Sequence, residues 1–209
     1  MLCRSIACQG FENISKLLQG AEMAEIRLEK TQLSLLEVER LFRSHPNLIA
    51  TCRPDGMSPA QQTELLKLAI DNGAKWVDIE IEAGDAYTKE LVTHAKSKGC
   101  LVIVSYHNYK ETPEIELLDE LVIGAIEKGA DLVKIATQVN QLSDNTRLMA
   151  LYNQPFPILV IGMGNIGKIT RVAALRLGAP FTFVSGEIGN ETAPGQIQET
   201  IMKEILDNL

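Results

Sequence analysis

A primary amine interrupts an apolar stretch in the second half of the chain, where Lys134 lies in the run Asp131-Leu-Val-Lys-Ile-Ala-Thr137. The composition of this run is typical of a buried strand. An amine held in such a strand loses hydration, which favours its neutral form, and a neutral amine is a nucleophile toward carbonyl groups. Lys134 is therefore a candidate Schiff-base lysine. The alternative that this run leaves open is a lysine at a strand end whose charged head extends to solvent.

Polar side chains also recur at alternate positions of other predicted strands. In Glu25-Ile-Arg27 and in Asp78-Ile-Glu80, the charged residues lie on one side of the strand and the apolar residue on the other. Because successive side chains of a strand point to opposite faces, the apolar set packs against helices and the polar set faces inward. Burial of several unpaired ionisable groups is unfavourable, so the set indicates a functional site. The inward set also includes Ser105, His107 and Lys134.

Together these side chains can support chemistry on a ketone. A lysine amine condenses with the carbonyl to give an iminium, which makes the neighbouring C–H bond acidic, and a histidine removes that proton and then protonates a leaving group. His107 is the natural acid and base. The other two histidines are expected at the surface, because His45 precedes a proline in a loop and His94 lies in a predicted helix.

The elements that must position these side chains alternate along the chain. Short runs rich in Val and Ile precede amphipathic segments of helical period, and glycines mark several helix ends. Eight such strand–helix units over residues 1–209 predict an α/β fold, a (β/α)8 TIM barrel in a single domain. The predicted strands are Leu2 to Ala7, Met23 to Leu28, Leu48 to Cys52, Trp76 to Ile81, Cys100 to Tyr106, Leu132 to Thr137, Phe156 to Gly162 and Phe181 to Ser185. The predicted helices include Ser34 to Arg43, Ala60 to Asp71, Thr88 to Lys98, Glu114 to Lys128 and Ile169 to Leu177.

Composition argues against several classes of protein. The 209 residues carry a formal net charge of −7 without a basic cluster, so nucleic acid is not an expected partner. No run approaches the roughly 20 apolar residues of a membrane span, and the N-terminus lacks a signal-peptide pattern. Four cysteines without C-x-x-C spacing argue against a zinc site and a disulfide framework. We expect a cytoplasmic protein without a bound metal.

The inward-facing residues belong to motifs that follow one another along the chain: Glu25-Ile-Arg27, Thr51-Cys-Arg53, Asp78-Ile-Glu80, Ser105-Tyr-His107-Asn108-Tyr109, Lys134-Ile-Ala136, Met163-Gly164, Thr170-Arg171 and Thr192-Ala-Pro-Gly-Gln196. In this order and spacing they resemble the motifs of the type I 3-dehydroquinate dehydratases, the Schiff-base dehydratases of the shikimate pathway, over nearly the whole chain. The resemblance implies a (β/α)8 barrel, in agreement with the strand count. It also implies a lyase that removes water from 3-dehydroquinate by syn elimination to give 3-dehydroshikimate, a step toward chorismate and the aromatic amino acids.

The resemblance implies a role for each matching residue. Lys134 would form the imine with the substrate ketone, without a cofactor, and His107 would move the proton. Arg171 would bind the substrate carboxylate, for which a guanidinium offers bidentate geometry. Homodimers occur in the family, and both a homodimer and a fusion to shikimate dehydrogenase stay open. The residues that would contact substrate hydroxyls or close a lid are Ser5, Glu25, Arg27, Arg53, Thr192 and Gln196.

The chain departs from the family pattern after its third strand. Many members carry Glu-Gly-Gly there, and that glutamate orients the catalytic histidine, whereas this chain reads Arg53-Pro-Asp-Gly-Met57. Glu80 and Asp55 are the two candidates to replace it, and strand alternation favours Glu80 as the third catalytic residue. Elsewhere Thr170 and Thr192 replace serines of the family and retain the hydroxyl group.

One motif suggests a different class. Gly162-Met-Gly164-Asn-Ile-Gly167 follows a predicted strand, and Glu187 lies about 20 residues further on, as in the dinucleotide-binding fingerprint of an NAD(P)-dependent oxidoreductase. However, that fingerprint normally belongs to the first strand of a fold, and this chain is almost finished. In a barrel the same loop is expected to bind an anion such as a carboxylate. A catalytically silent barrel that binds a small carboxylate is a third interpretation, and it has no need of Lys134.

Overall fold

Parallel strands alternate with helices in the computed structural model, which describes residues 1–186 and 192–209. The strands are β1 (Leu2–Ile6), β2 (Met23–Arg27), β3 (Leu48–Thr51), β4 (Trp76–Glu80), β5 (Leu101–Asn108), β6 (Leu132–Gln138), β7 (Ile158–Met163), β8 (Thr182–Ser185) and β9 (Ile197–Gln198). They form one sheet in the order β7-β6-β5-β4-β3-β2-β1-β8-β9. The chain therefore passes around the sheet once, and β8 returns to pair with β1.

Side-chain packing joins β7, at one end of the sheet, to β8, which lies near the other end. Leu159 and Ile161 of β7 belong to the same buried cluster as Phe183 of β8 and Phe181 just before it. The sheet thus curls into a barrel whose interior is filled by side chains, as in other barrels of this size. The predicted TIM-barrel class is confirmed, with the two-residue strand β9 as an addition. The extent of the domain, residues 1–209, stays a prediction.

Helices connect the strands and pack their apolar faces against the outside of the barrel. Ser34 and Ser58 begin two of them with capping boxes, in which each hydroxyl accepts a hydrogen bond from a backbone N–H three residues on. Among the described residues, none of the helices has the length and apolar character needed to span a membrane. The helices are α1 (Phe11–Leu18), α2 (Leu28–Thr31), α3 (Leu35–Ser44), α4 (Pro59–Asp71), α5 (Asp85–Ser97), α6 (Ile115–Glu127), α7 (Leu142–Ala150), α8 (Gly164–Ala173) and α9 (Glu199–Asp207), with a 3-10 turn at Leu151–Asn153.

The predicted strands agree with the observed ones to within two residues at each end. The bounds of one predicted helix are wrong: the predicted helix is Ile169 to Leu177, and the observed helix, α8, Gly164–Ala173, begins five residues earlier and ends four residues earlier. Gly164 has a φ of 81°, a left-handed conformation that favours glycine. This single residue makes the turn, so the helix begins directly after β7 and the expected glycine-rich loop does not form.

Strand register sets the height of each polar side chain inside the barrel. Partner residues on neighbouring strands lie side by side, so inward residues in register form one level. The register pairs that carry the polar level are Ser5 with Glu25, Thr51 with Asp78, and Ser105 with Lys134. The residues two positions earlier in the same strands form an apolar layer inside the barrel, which includes Cys3, Met23, Ile49, Ile103 and Leu132. The polar level therefore lies toward the carboxyl ends of the strands.

Candidate active site

Lys134 lies inside the barrel, and only 5% of its surface is exposed. Its Nζ donates a hydrogen bond of 2.9 Å to Oδ2 of Asp78 and lies 3.8 Å from Oε1 of Glu25. The ring of Phe183 lies beneath the same nitrogen, with its centroid 4.6 Å away. The alternative of a lysine that extends to solvent is therefore wrong. Two carboxylates and an aromatic face therefore surround the nitrogen of Lys134.

Asp78 is the fully buried carboxylate that links this amine to a neighbouring guanidinium. Its Oδ1 accepts hydrogen bonds from Nη2 of Arg53 at 2.9 Å and from Oγ of Ser105 at 2.6 Å. Burial alone would raise the pKa of Asp78, but Arg53 and Lys134 outweigh it and hold that pKa far below its usual range. Asp78 is therefore an anion. The alternation of polar and apolar residues along the strand predicted that Asp78 faces the barrel interior, but it did not predict which side chains contact Asp78.

Glu25 provides the second carboxylate beside Lys134. Its side chain accepts hydrogen bonds from Ser5 at 2.5 Å and from Thr51 at 3.0 Å. Burial works against the charged form, but Lys134 and Arg27 lower the pKa of Glu25 below its ordinary value. Glu25 is thus a fixed anion whose oxygens are both engaged.

Residues 192–196 cover the side of the pocket that Ser5 and Glu25 line. The hydroxyl of Thr192 donates a hydrogen bond of 2.8 Å to Oγ of Ser5. The side-chain amide of Gln196 accepts a hydrogen bond from the backbone N–H of Thr192 and donates one to the Thr192 hydroxyl. Thr192 and Gln196 both line the pocket, and their role in closing it over a ligand stays a prediction. Glu187, the acidic residue of the dinucleotide fingerprint, lies outside the described residues.

His107 lies on β5, two residues beyond Ser105, and faces the same pocket as Lys134. Burial, with the nearby cations Lys134 and Arg53, lowers the pKa of His107 well below its ordinary value. The imidazole is therefore neutral at physiological pH and can accept a proton. This state suits a general base in a reaction at the neighbouring amine.

The predicted partner of His107 is near but is not hydrogen-bonded. Nδ1 of His107 lies 3.7 Å from Oε1 of Glu80, beyond hydrogen-bond length, and has no hydrogen-bond partner among the described residues. Glu80 lines a different cavity, to whose wall Arg53 and Asp78 also contribute. The other candidate, Asp55, is more than half exposed and pairs with Lys30. Of the two, the structure brings only Glu80 close to the imidazole.

Two further arginines line the pocket from the strand ends. Arg27 pairs with Glu29 through hydrogen bonds of 2.7 Å and 2.6 Å, and Arg53 is anchored by Asp78. Each guanidinium is thus held in place by a carboxylate. Both can present their remaining N–H donors to the hydroxyl groups of a ligand.

Arg171 differs, because it is a buried cation without a counter-ion in the described parts of the chain. It lies on α8 and is 1% exposed. Its Nη2 donates a hydrogen bond of 3.4 Å to the carbonyl of Pro194, and no carboxylate of residues 1–186 or 192–209 lies within ion-pair distance. Burial lowers the pKa of Arg171 to about 10. A guanidinium in this state favours an anionic ligand.

The structure brings the predicted residues together around one pocket. Glu80 is the one predicted catalytic residue outside its described lining. Further residues, to which the sequence analysis gave no role in the site, complete the wall: Tyr109, Ala136, Ile161, Met163 and Phe183. Strand alternation could have found Ile161, Met163 and Phe183, because they share the inward side of β7 and β8.

The motif Gly162-Met-Gly164-Asn-Ile-Gly167 allows β7, α8 and the segment 192–196 to pack closely against one another. A Cβ on Gly167 would lie 2.4 Å from the backbone of Gly162, and one on Gly195 would lie 2.5 Å from the carbonyl of Gly164. The N–H of Gly164 already donates a hydrogen bond to Pro194. The dinucleotide interpretation is therefore unnecessary, and the anion role expected of this loop stays a prediction.

A barrel that gathers ionisable side chains at the carboxyl ends of its strands defines the class of (β/α)8-barrel enzymes. Within this class the chain belongs to the type I 3-dehydroquinase family, a family of lyases, whose sequence model matches residues 6–209.

Individual relatives agree with this assignment. The 3-dehydroquinate dehydratase of Methanococcus vannielii is 36% identical over 200 residues, which cover 91% of this chain and 89% of that protein. A chloroplastic bifunctional 3-dehydroquinate dehydratase/shikimate dehydrogenase of Arabidopsis thaliana is 32% identical over 90% of this chain, which corresponds to 32% of that protein. The crystal structure of the type I 3-dehydroquinate dehydratase of Clostridium difficile superposes with a TM-score of 0.87 and 27% identity, covering 99% of this chain and 90% of that chain.

Proposed function

We propose that this protein removes water from 3-dehydroquinate to give 3-dehydroshikimate through an imine on Lys134. The observation that carries the proposal is the shared pocket of a buried lysine, a neutral histidine and a buried arginine without a described counter-ion. Each supplies one function that the reaction needs: a nucleophile, a base and a carboxylate receptor. The family and its named relatives support the same reaction.

The first step joins the substrate ketone to Lys134. Nζ must lose a proton to attack, and the carbonyl carbon then gains a C–N bond while its oxygen takes up the proton. Loss of that oxygen as water, with a second proton from nitrogen, leaves a C=N bond with a positive charge. An ammonium and a ketone thus become an iminium and water, and the net charge is unchanged. Because the iminium is the electron sink, this route needs no metal or nucleotide.

His107 then carries the proton chemistry. Its neutral imidazole takes the proton from the carbon next to the iminium, and the C–H electron pair moves toward nitrogen to give an enamine. The enamine expels the hydroxyl one carbon further on, and the imidazolium gives that oxygen its proton, so water leaves. Hydrolysis of the conjugated imine releases the product and returns the amine of Lys134.

The remaining side chains hold the substrate. Arg171 pairs with its carboxylate, and Arg27, Arg53 and Glu25 contact its hydroxyl groups. Thr192 and Gln196 close the pocket after binding, which keeps the imine from premature hydrolysis. We also assign Glu80 to the orientation of His107, because a shift of under one ångström would bring its carboxylate to hydrogen-bond distance.

Location and assembly are part of the proposal. The four cysteines are free, which suits a reducing cytoplasm. Exposed apolar side chains on α6, at Leu117, Ile123 and Ile126, support a homodimer. The Arabidopsis relative supports a fusion to shikimate dehydrogenase as an alternative arrangement of the same activity.

Borohydride trapping tests the function directly. Reduction in the presence of 3-dehydroquinate should inactivate the protein and add the reduced adduct to the peptide that contains Lys134, as measured by mass spectrometry. Formation of the conjugated product, followed by ultraviolet absorbance, should cease in Lys134→Met. Lys168→Met, which removes an exposed lysine of α8, is the control and should turn over normally. Full activity of Lys134→Met, or an unlabelled Lys134 peptide after reduction, would falsify the proposal.

A further inference from the structure

The nitrogen of Lys134 has a single hydrogen-bonded acceptor among the described residues, and that acceptor is Asp78. The contact is 2.9 Å long, and the carboxylate is completely buried. The other oxygen of Asp78 is held by Arg53 and Ser105. The carboxylate therefore cannot move away from the amine without losing two hydrogen bonds elsewhere.

Charge is conserved at this nitrogen through the proposed reaction. The ammonium loses two hydrogens, which leave with the ketone oxygen as water, and the iminium that results has the same charge at the same atom. A carboxylate placed against the ammonium thus also lies against the iminium. Because it is already fixed, it needs no reorganisation as the covalent bond forms.

We propose that Asp78 is the positioning residue and counter-ion of the Lys134 nitrogen, holding it as an ammonium before substrate binds and stabilising the iminium that replaces it. This inference rests on the proposed function. It gives a role to a buried acid that the proposed acid–base chemistry of His107 does not use.

Glu25 is less suited to this role. It lies 3.8 Å from Nζ, and its own oxygens accept hydrogen bonds from Ser5 and Thr51. Arg53 and Lys134 keep the pKa of Asp78 far below its usual range despite its burial, so it stays a carboxylate throughout the neutral range and cannot serve as a base. Cys3 and His107 also interact electrostatically with Lys134, and Arg27, Arg53 and Arg171 line the same pocket.

The test measures how the rate of imine formation depends on pH, by borohydride trapping in single turnovers. The acidic limb of this profile reports the loss of a proton from the free amine. Removal of an adjacent negative charge makes that loss easier, so Asp78→Asn should move the limb by about 1 to 3 pH units toward acid. Because the iminium also loses its counter-ion, the turnover number should fall on the order of 100-fold.

Four further variants separate the effect of charge from an effect on structure. Asp78→Glu restores a carboxylate and should return the limb toward its original position, whereas Ser105→Ala removes a neutral partner and should leave the limb in place. If Asp78→Asn does not fold, the same comparison is made between Arg53→Gln and Arg53→Gln/Asp78→Asn, because the double variant removes one charge of each sign. An unshifted limb on loss of Asp78 overturns the inference. Absence of an adduct in the unmodified protein would instead overturn the proposed function.

Discussion

Arg171→Met should make the ligand-free protein more stable while it weakens substrate binding. The guanidinium is buried and has one hydrogen bond, to Pro194, within the described residues. Burial lowers its pKa from 12.5 to about 10, which corresponds to roughly 3 kcal/mol of unfavourable free energy for the charged form in the folded protein. The lost hydrogen bond to Pro194 offsets about 1 kcal/mol of the gain. The variant should therefore gain roughly 2 kcal/mol, and its Tm should rise by roughly 4 to 8 °C.

Substrate binding should change in the opposite direction. A bidentate contact between a buried guanidinium and a carboxylate contributes about 2 to 5 kcal/mol, so kcat/KM for 3-dehydroquinate should fall on the order of 100-fold. Saturating 3-dehydroshikimate should raise the Tm of the unmodified protein much more than that of Arg171→Met.

Thermal unfolding with and without ligand, together with steady-state kinetics, measures both effects. Arg147→Met is the matched control, because Arg147 is partly buried but paired with Glu114 and Asp144 at 2.6 Å each. That control should lose about 1 to 3 kcal/mol of stability and keep its KM. The reasoning is refuted if Arg171→Met is less stable than the unmodified protein and binds substrate normally, since Arg171 would then be a structural residue.

Two further predictions concern His107 and its neighbour. Because the pKa of His107 is lowered in the folded protein, the unfolded chain takes up a proton between pH 7 and 5 that the folded protein does not, and stability falls as pH falls. Urea denaturation at the two pH values should show a smaller loss for His107→Gln; equal losses would contradict this. Glu80→Gln should lower the turnover number by on the order of 10-fold or more with little change in KM, whereas Asp55→Asn should behave like the unmodified protein. Equal kinetics for these two variants would remove Glu80 from the orientation of His107.

The sequence by itself determined the barrel and the level at which its polar residues lie. Alternation along a strand follows from backbone geometry, so Glu25, Asp78 and Lys134 could be assigned to the interior without coordinates. The short runs rich in Val and Ile predicted the strand ends to within two residues. Prediction failed at the start of α8, because the turn depends on the conformation of one glycine, Gly164, and on the close approach of Gly162 and Gly167.

Only the tertiary structure decided which charges meet. The partners of Asp78 come from three different segments, and whether they lie within 3 Å depends on register, on the curvature of the sheet and on side-chain rotamers. Tertiary packing also left Arg171 without a carboxylate partner in the described chain. It placed Oε1 of Glu80 3.7 Å from Nδ1 of His107, about 0.5 Å beyond the upper end of ordinary hydrogen-bond lengths. Local sequence does not encode these distances, because each one results from contacts between residues that lie far apart in the chain.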